Sequence, residues 1–149
     1  MSENNTVDMV NHPPHYTSHP IFPGECIDYT RHMNFTRGNP FKYLWRFRDK
    51  FDPTEDLRKA AFYINDIVNH KYIDHAMFHT QKERMPQEIL ATVNTLLTCS
   101  VGDPAPQRPE HIITTSDYEV LHIMLALLTL PADGLFSAPR TIESIINDD

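Results

Sequence analysis

Proline sets the tightest limit on what this chain can become. It occupies 12 of 149 positions against four glycines. Its ring fixes φ and removes a backbone donor, so a proline cluster starts or ends an element and does not continue one. The prolines fall before or between the apolar periodic segments and divide the sequence into short helical pieces behind an extended leader. Residues 1–24 hold Pro13, Pro14, Pro20 and Pro23 with no helical period. That predicts an extended, polyproline-like strap lying on the rest and carrying His12, His15, Tyr16 and His19.

The segments behind the strap are helical. ECIDYTRHM, residues 25–33, fits two turns with Cys26, Ile27 and Met33 turned inward. In GNPFKYLWRFRDK the spacing predicts a short helix with Asn39 as N-cap, Pro40 at the first helical position and Phe41, Leu44, Trp45 and Arg48 recurring at i, i+3, i+4 and i+7. A second helix starts at Asp52, with Pro53 first and Glu55 closing a capping box, ahead of a stripe of Leu57, Ala61, Ile64, Val68 and Tyr72. Beyond residue 80, Pro86 opens a helix with Ile89, Val93, Leu96 and Leu97, and a Pro-rich loop occupies residues 102–110. Ser116 and Glu119 make a further capping box before VLHIMLALLTL, which is apolar around nearly its whole circumference. Burying such a helix on all sides predicts a homo-oligomer. APRTIESIINDD closes the chain as a short amphipathic helix. The expected fold is mainly α: a compact helical domain over 1–80 with its Pro/His-rich strap, and a helical extension over 81–149 that packs on it or forms an oligomer interface.

Charge narrows the function. From Arg31 to Lys59 eight basic residues stand against four acidic ones, net +4, so the rest of a chain of net charge −7 carries −11. One basic patch on an acidic body suits a compact anionic ligand and disfavours nucleic acid. No apolar run is long enough to span a membrane and the N-terminus has no signal-peptide pattern, so the expected location is cytoplasmic. Cys26 and Cys99 suggest neither a disulfide framework nor a thiolate zinc site. P-loop, GxGxxG, GxSxG and HExxH patterns are absent. The strap histidines have no second pair to complete a zinc shell, so no metal is assigned, although Glu55, Asp56 and Asp66 leave a weak magnesium site open.

The expected anion site is the start of the Asn39 helix, where free N–H groups and a partial positive charge combine with Arg37, Lys42 and Arg46, and Arg48 and Lys50 extend the patch. Asp56, Lys59 and Tyr63, spaced along the next helix, form a polar wall facing these cations. His12, His15 and Tyr16 offer hydrogen bonds from the strap. A solvated basic face and a ligand-free strap are the plain alternatives.

Four motifs in one order, NHPPHY (11–16), GECID (24–28), GNPFKYLWRFRDK (38–50) and EDLRKAAFYI (55–64), resemble a family of small bacteriophage proteins, many of unknown function, that includes a nucleotide kinase. The resemblance covers about residues 11–70. It implies transfer of a phosphoryl group from ATP or another nucleoside triphosphate to a deoxynucleoside monophosphate in the infected bacterial cell, with the magnesium requirement open. Lys42, Arg46 and Asp56 are then the catalytic candidates. His12, His15, Tyr16, Asn39, Arg48, Lys59 and Tyr63 would bind nucleotide or phosphate, with Tyr63 or Trp45 stacking on a base. The family resemblance also leaves room for a non-catalytic nucleotide-binding or host-interaction protein.

Overall fold

Asn34, five residues before the asparagine expected to start it, opens the helix that organises the molecule. The computed structural model describes residues 9–49 and 52–148. In it the Asn34 side chain accepts the Arg37 N–H at 3.1 Å, and the Gln81 side chain accepts the Asn34 N–H at 2.9 Å. Helix α3 therefore runs Phe35–Arg46 with Pro40 inside it. Ahead of it lie α1, Pro14–Thr17, and α2, Cys26–Thr30. The strap over its described residues is thus not wholly extended: Pro13 and Pro14 start a single helical turn, as proline at a helix start permits. Residues 1–8 of the expected strap, Lys50 and the side chain of His15 lie outside what is described.

A 3₁₀ turn, Phe47–Asp49, follows α3, and α4, Pro53–Asn69, begins at Asp52, whose carboxylate accepts the Thr54 N–H at 3.1 Å. Leu57, Ala60, Ile64 and Ile67 form its buried stripe. Tyr72 does not extend it: the chain breaks at His70, and Tyr72 stands exposed on α5, Lys71–Arg84. Helix α6, Gln87–Leu96, buries Ile89, Val93 and Leu96 and leaves Leu97 outside. Likewise Cys26 and Tyr29 are the buried residues of α2, and Ile27 points out.

The Pro-rich segment at 102–110 forms part of an antiparallel hairpin, β1 Pro104–Ala105 and β2 Arg108–Ile112. A two-stranded ribbon is all edge, where proline needs no ladder partner. The Gln107 N–H donates to Pro20 O at 2.8 Å, tying the hairpin to the strap. Helix α7, Thr115–Thr129, is capped by Thr114 and Asp117, not by Ser116 and Glu119. A 3₁₀ turn, Ala132–Leu135, leads to α8, Ala138–Asn147, which buries Ile142 and Ile145.

The fold is mainly α, with one continuous core. It runs from Ile21 and Phe22 of the strap through Phe41, Leu44 and Trp45 of α3 to Met124, Leu127 and Ile142. The boundary expected near residue 80 falls within α5. Helix α7 is buried on nearly all sides, as its composition requires, but α3, α8 and the neighbouring turn of the same chain supply the cover. Its apolar circumference therefore no longer calls for a second copy. Among the described residues, no helix is long and apolar enough to cross a membrane.

Candidate functional site

Starting α3 at Asn34 removes the expected phosphate site. Asn39 and Pro40 lie in the middle of a continuous helix, and the Asn39 amide donates to Phe35 O at 2.8 Å, so no free N–H groups open there. At the true start the Asn34 side chain takes the Arg37 N–H and Gln81 takes the Asn34 N–H. Arg37, expected beside that anion, is buried in a bidentate pair with Asp74, at 2.9 and 2.8 Å.

The basic patch is mostly neutralised. Arg46 Nε meets Asp56 Oδ2 at 3.2 Å, Arg48 Nε meets Asp117 Oδ1 at 2.7 Å, and Lys59 Nζ meets Glu55 Oε1 at 2.8 Å. Lys59 thus pairs with Glu55 and not with Asp56. Arg31 and Arg58 also face carboxylates. Of the segment from Arg31 to Lys59, Lys42 is the cation without an ion pair among the described residues. No group of three His, Cys, Asp or Glu able to hold a metal occurs among the described residues. Asp56 turns to Arg46, Glu55 to Lys59 and Asp66 to His70, so the three carboxylates do not form the weak magnesium site left open by the sequence.

Lys42 lines a cleft of about 430 Å³ between the strap and α2, within the size range of small-ligand pockets. Pro13 and Tyr16 line it from the strap, and Glu25, Cys26 and Thr30 from the α2 side. Arg46 Nη1 donates to the Tyr16 hydroxyl, which holds α1 against α3. Burial raises the Tyr16 pKa against the pull of Arg46, so the phenol keeps its proton and can donate it to a ligand. Burial pushes the Cys26 thiol up to about 12 despite Lys42 and Arg46, which rules out a thiolate nucleophile at neutral pH. His12 joins Glu25 at 3.1 Å and stands largely in solvent.

The sequence missed Tyr43. Its ring receives Lys42 Nζ at 4.7 Å, the Arg46 guanidinium at 5.3 Å and Lys59 Nζ at 5.5 Å, and it stacks on Tyr63 at 6.3 Å. Tyr43 therefore links the candidates of α3 to those of α4 through its electron-rich face. The signal was an aromatic residue directly beside Lys42 and three before Arg46. Of the expected residues, the fold brings together Tyr16, Lys42, Arg46, Asp56, Lys59 and Tyr63, with His12 near Glu25. Asn39 faces away on its own helix, Arg48 is drawn to α7, and Trp45 is buried in the core at 3% exposure.

No curated protein and no solved structure matches this chain. Residues 10–65, which contain the strap cleft and the Arg46–Asp56 pair, match the model of DUF3310, a family described as being of unknown function.

Proposed function

We propose that the strap cleft binds a small organic anion of mononucleotide size, its phosphate on Lys42 and the Tyr16 hydroxyl. The observation that carries this reading is Lys42, which among the described residues is without an ion pair in a segment whose other described cations have one, and which lines a cleft of about 430 Å³. Its neighbour Tyr43, whose ring centre lies 4.7 Å from Lys42 Nζ, is neutral, so no carboxylate offsets the charge a phosphate would meet. The apolar flanks of Val10 and Ile27 suit a base or sugar better than a bare ion.

Phosphoryl transfer from a nucleoside triphosphate to a deoxynucleoside monophosphate, which the sequence resemblance implies, is the second reading. Arg46 favours it, because its contact with Tyr16 places a second cation, a guanidinium, beside the cleft. Transfer asks more of the site, however. Arg46 would exchange Asp56 for phosphoryl oxygens and leave a carboxylate of 1% exposure without its partner, a large penalty. Binding without turnover is the reading the geometry supports best.

Calorimetric titration with each deoxynucleoside monophosphate tests it. One saturable site is expected, weakened about tenfold or more in Lys42→Ala by loss of a charge-assisted contact, with the thermal midpoint unchanged. No heat with any mononucleotide, or unchanged affinity in the variant, overturns the reading. Labelled ATP added with each monophosphate separates the two: a diphosphate product formed by the parent protein and lost in Lys42→Ala, whose thermal midpoint is unchanged, establishes transfer.

A further inference from the structure

A second cavity, of about 200 Å³, shares no lining residue with the strap cleft. It forms where the strap, the end of α3, β2 and α7 meet, and its polar groups are held in place by one carboxylate. Asp117 Oδ1 takes Arg48 Nε at 2.7 Å, and Asp117 Oδ2 takes His111 Nε2 at 2.7 Å and the Thr114 N–H at 2.9 Å. Both of its oxygens are occupied. Burial pushes the Asp117 carboxyl upward, but the Thr114 N–H, His111 and Arg48 outweigh it and hold it below its usual range, so it stays ionised. His19 lines the cavity, and its Nδ1 accepts the N–H groups of Ile21 and Phe22 at 3.0 and 3.2 Å, which places the ring proton on Nε2. Arg108, exposed at the mouth, has no ion pair among the described residues.

The geometry points to a binding site for a short-chain monocarboxylate, with its head on Arg108 and the His19 N–H and its hydrocarbon tail against Val120, Leu121 and Met124. Volume excludes a nucleotide, since the space falls below the roughly 300 Å³ at which drug-sized pockets begin. Charge disfavours a phosphate dianion: Asp117 offsets Arg48, and Asp49 lines the same cavity opposite Arg108 in charge, leaving little net positive potential for a second negative charge. The apolar wall fits a tail that inorganic oxyanions lack. Arg108, His111, Asp117 and the α7 residues lie outside residues 10–65, so the site needs the C-terminal half of the chain.

Trp45 lines this cavity and is the one tryptophan of the sequence, so its emission reports on filling. The full chain is titrated with acetate, propionate and butyrate at constant ionic strength, with inorganic phosphate as comparison. The shifts of the Trp45 indole N–H and the Arg108 amide are followed by NMR in the same samples. Saturable changes are expected with the carboxylates, strengthening about fourfold per methylene as the tail is buried. Arg108→Ala, a surface change that leaves the fold intact, should weaken butyrate about tenfold. The proposal is overturned by the absence of saturable change in both signals, by equal affinity along the series, by an equal response to phosphate, or by an Arg108→Ala protein that binds as well as the parent.

Discussion

Arg37 has no exposed surface, yet every polar end of it is used. Beyond the bidentate pair with Asp74, its Nη1 donates to Leu130 O at 2.6 Å and Leu127 O at 3.1 Å, and the guanidinium lies 4.0 Å from the centre of the Phe78 ring. A buried charge that loses its partner leaves the other unpaired, at a cost of roughly 3–5 kcal/mol. Asp74→Ala should therefore lower the urea midpoint far more than a surface substitution does, and Arg37→Met combined with Asp74→Ala should cost less than the sum of the single changes. Additive losses in that cycle would show that the two side chains act independently. His19 supplies a pH-dependent counterpart. Burial lowers its pKa to about 3, with Arg108, His111 and Arg48 pushing the same way against the pull of Asp117. The unfolded chain, with histidine near 6.5, then binds more protons than the folded one between these values. Stability is complete above about pH 6.5 and falls as pH drops toward 3, at up to ~1.4 kcal/mol per unit. Urea midpoints between pH 7 and 4.5 should show this slope, and His19→Asn, which keeps an acceptor for the Ile21 and Phe22 N–H groups, should flatten it. The sequence points to Arg37 as an anion-site cation and to His19 as a strap histidine but not to their burial, because a buried arginine and a solvated one are spelled alike until the partner from a distant helix is known.

At the scale of elements, a cap followed by proline marked the true helix start at Asp52 and misled at Asn39, where a tertiary contact decides otherwise. Asp52 and Pro53 offered one start, and α4 takes it. The α3 segment holds a second asparagine, Asn34, which the apolar spacing passes over. Asn39 had the stronger local signature in Pro40, but Asn34 also meets Gln81 from α5, and that tertiary bond moves the start back by more than a turn. The same contest decides α7, where Thr114–Asp117 wins over Ser116–Glu119 because Asp117 also holds Arg48 and His111. In both cases a partner from elsewhere in the chain outvoted the local motif. Asn34→Ala should cost about 1 kcal/mol, the usual loss of an N-cap, whereas Asn39→Ala at mid-helix should be neutral or slightly stabilising, because alanine has the higher helix propensity. Equal losses in denaturant unfolding, or the reverse order, would restore the start at Asn39 and with it the helix-end phosphate site.

For the whole molecule, the matched segment and the remainder are mutually dependent. Residues 10–65 place Arg37 against the carbonyls that end α7, and Gln81 donates to Leu127 O and Leu128 O at 3.1 and 3.2 Å from the other side. Leu57 and Ile64 of α4 are fully buried in the same core that holds Met124 and Ile142. The sequence alone predicts 81–149 packing on the 1–80 domain or forming an oligomer interface, and does not name these contacts, because Arg37, Gln81 and the carbonyls ending α7 are far apart in the chain. Cutting the chain after Arg84 would strip Arg37 of its carbonyl acceptors and expose the apolar face of α4, so the N-terminal fragment should lose cooperative unfolding and the near-ultraviolet dichroism of Trp45. The strap cleft is lined wholly by residues before position 43, but its Lys42 wall is α3, whose inner face is covered by α7. Mononucleotide binding should therefore disappear together with the cooperative transition. A fragment of residues 1–84 that unfolds cooperatively and still binds would show that the fold divides near residue 80 after all.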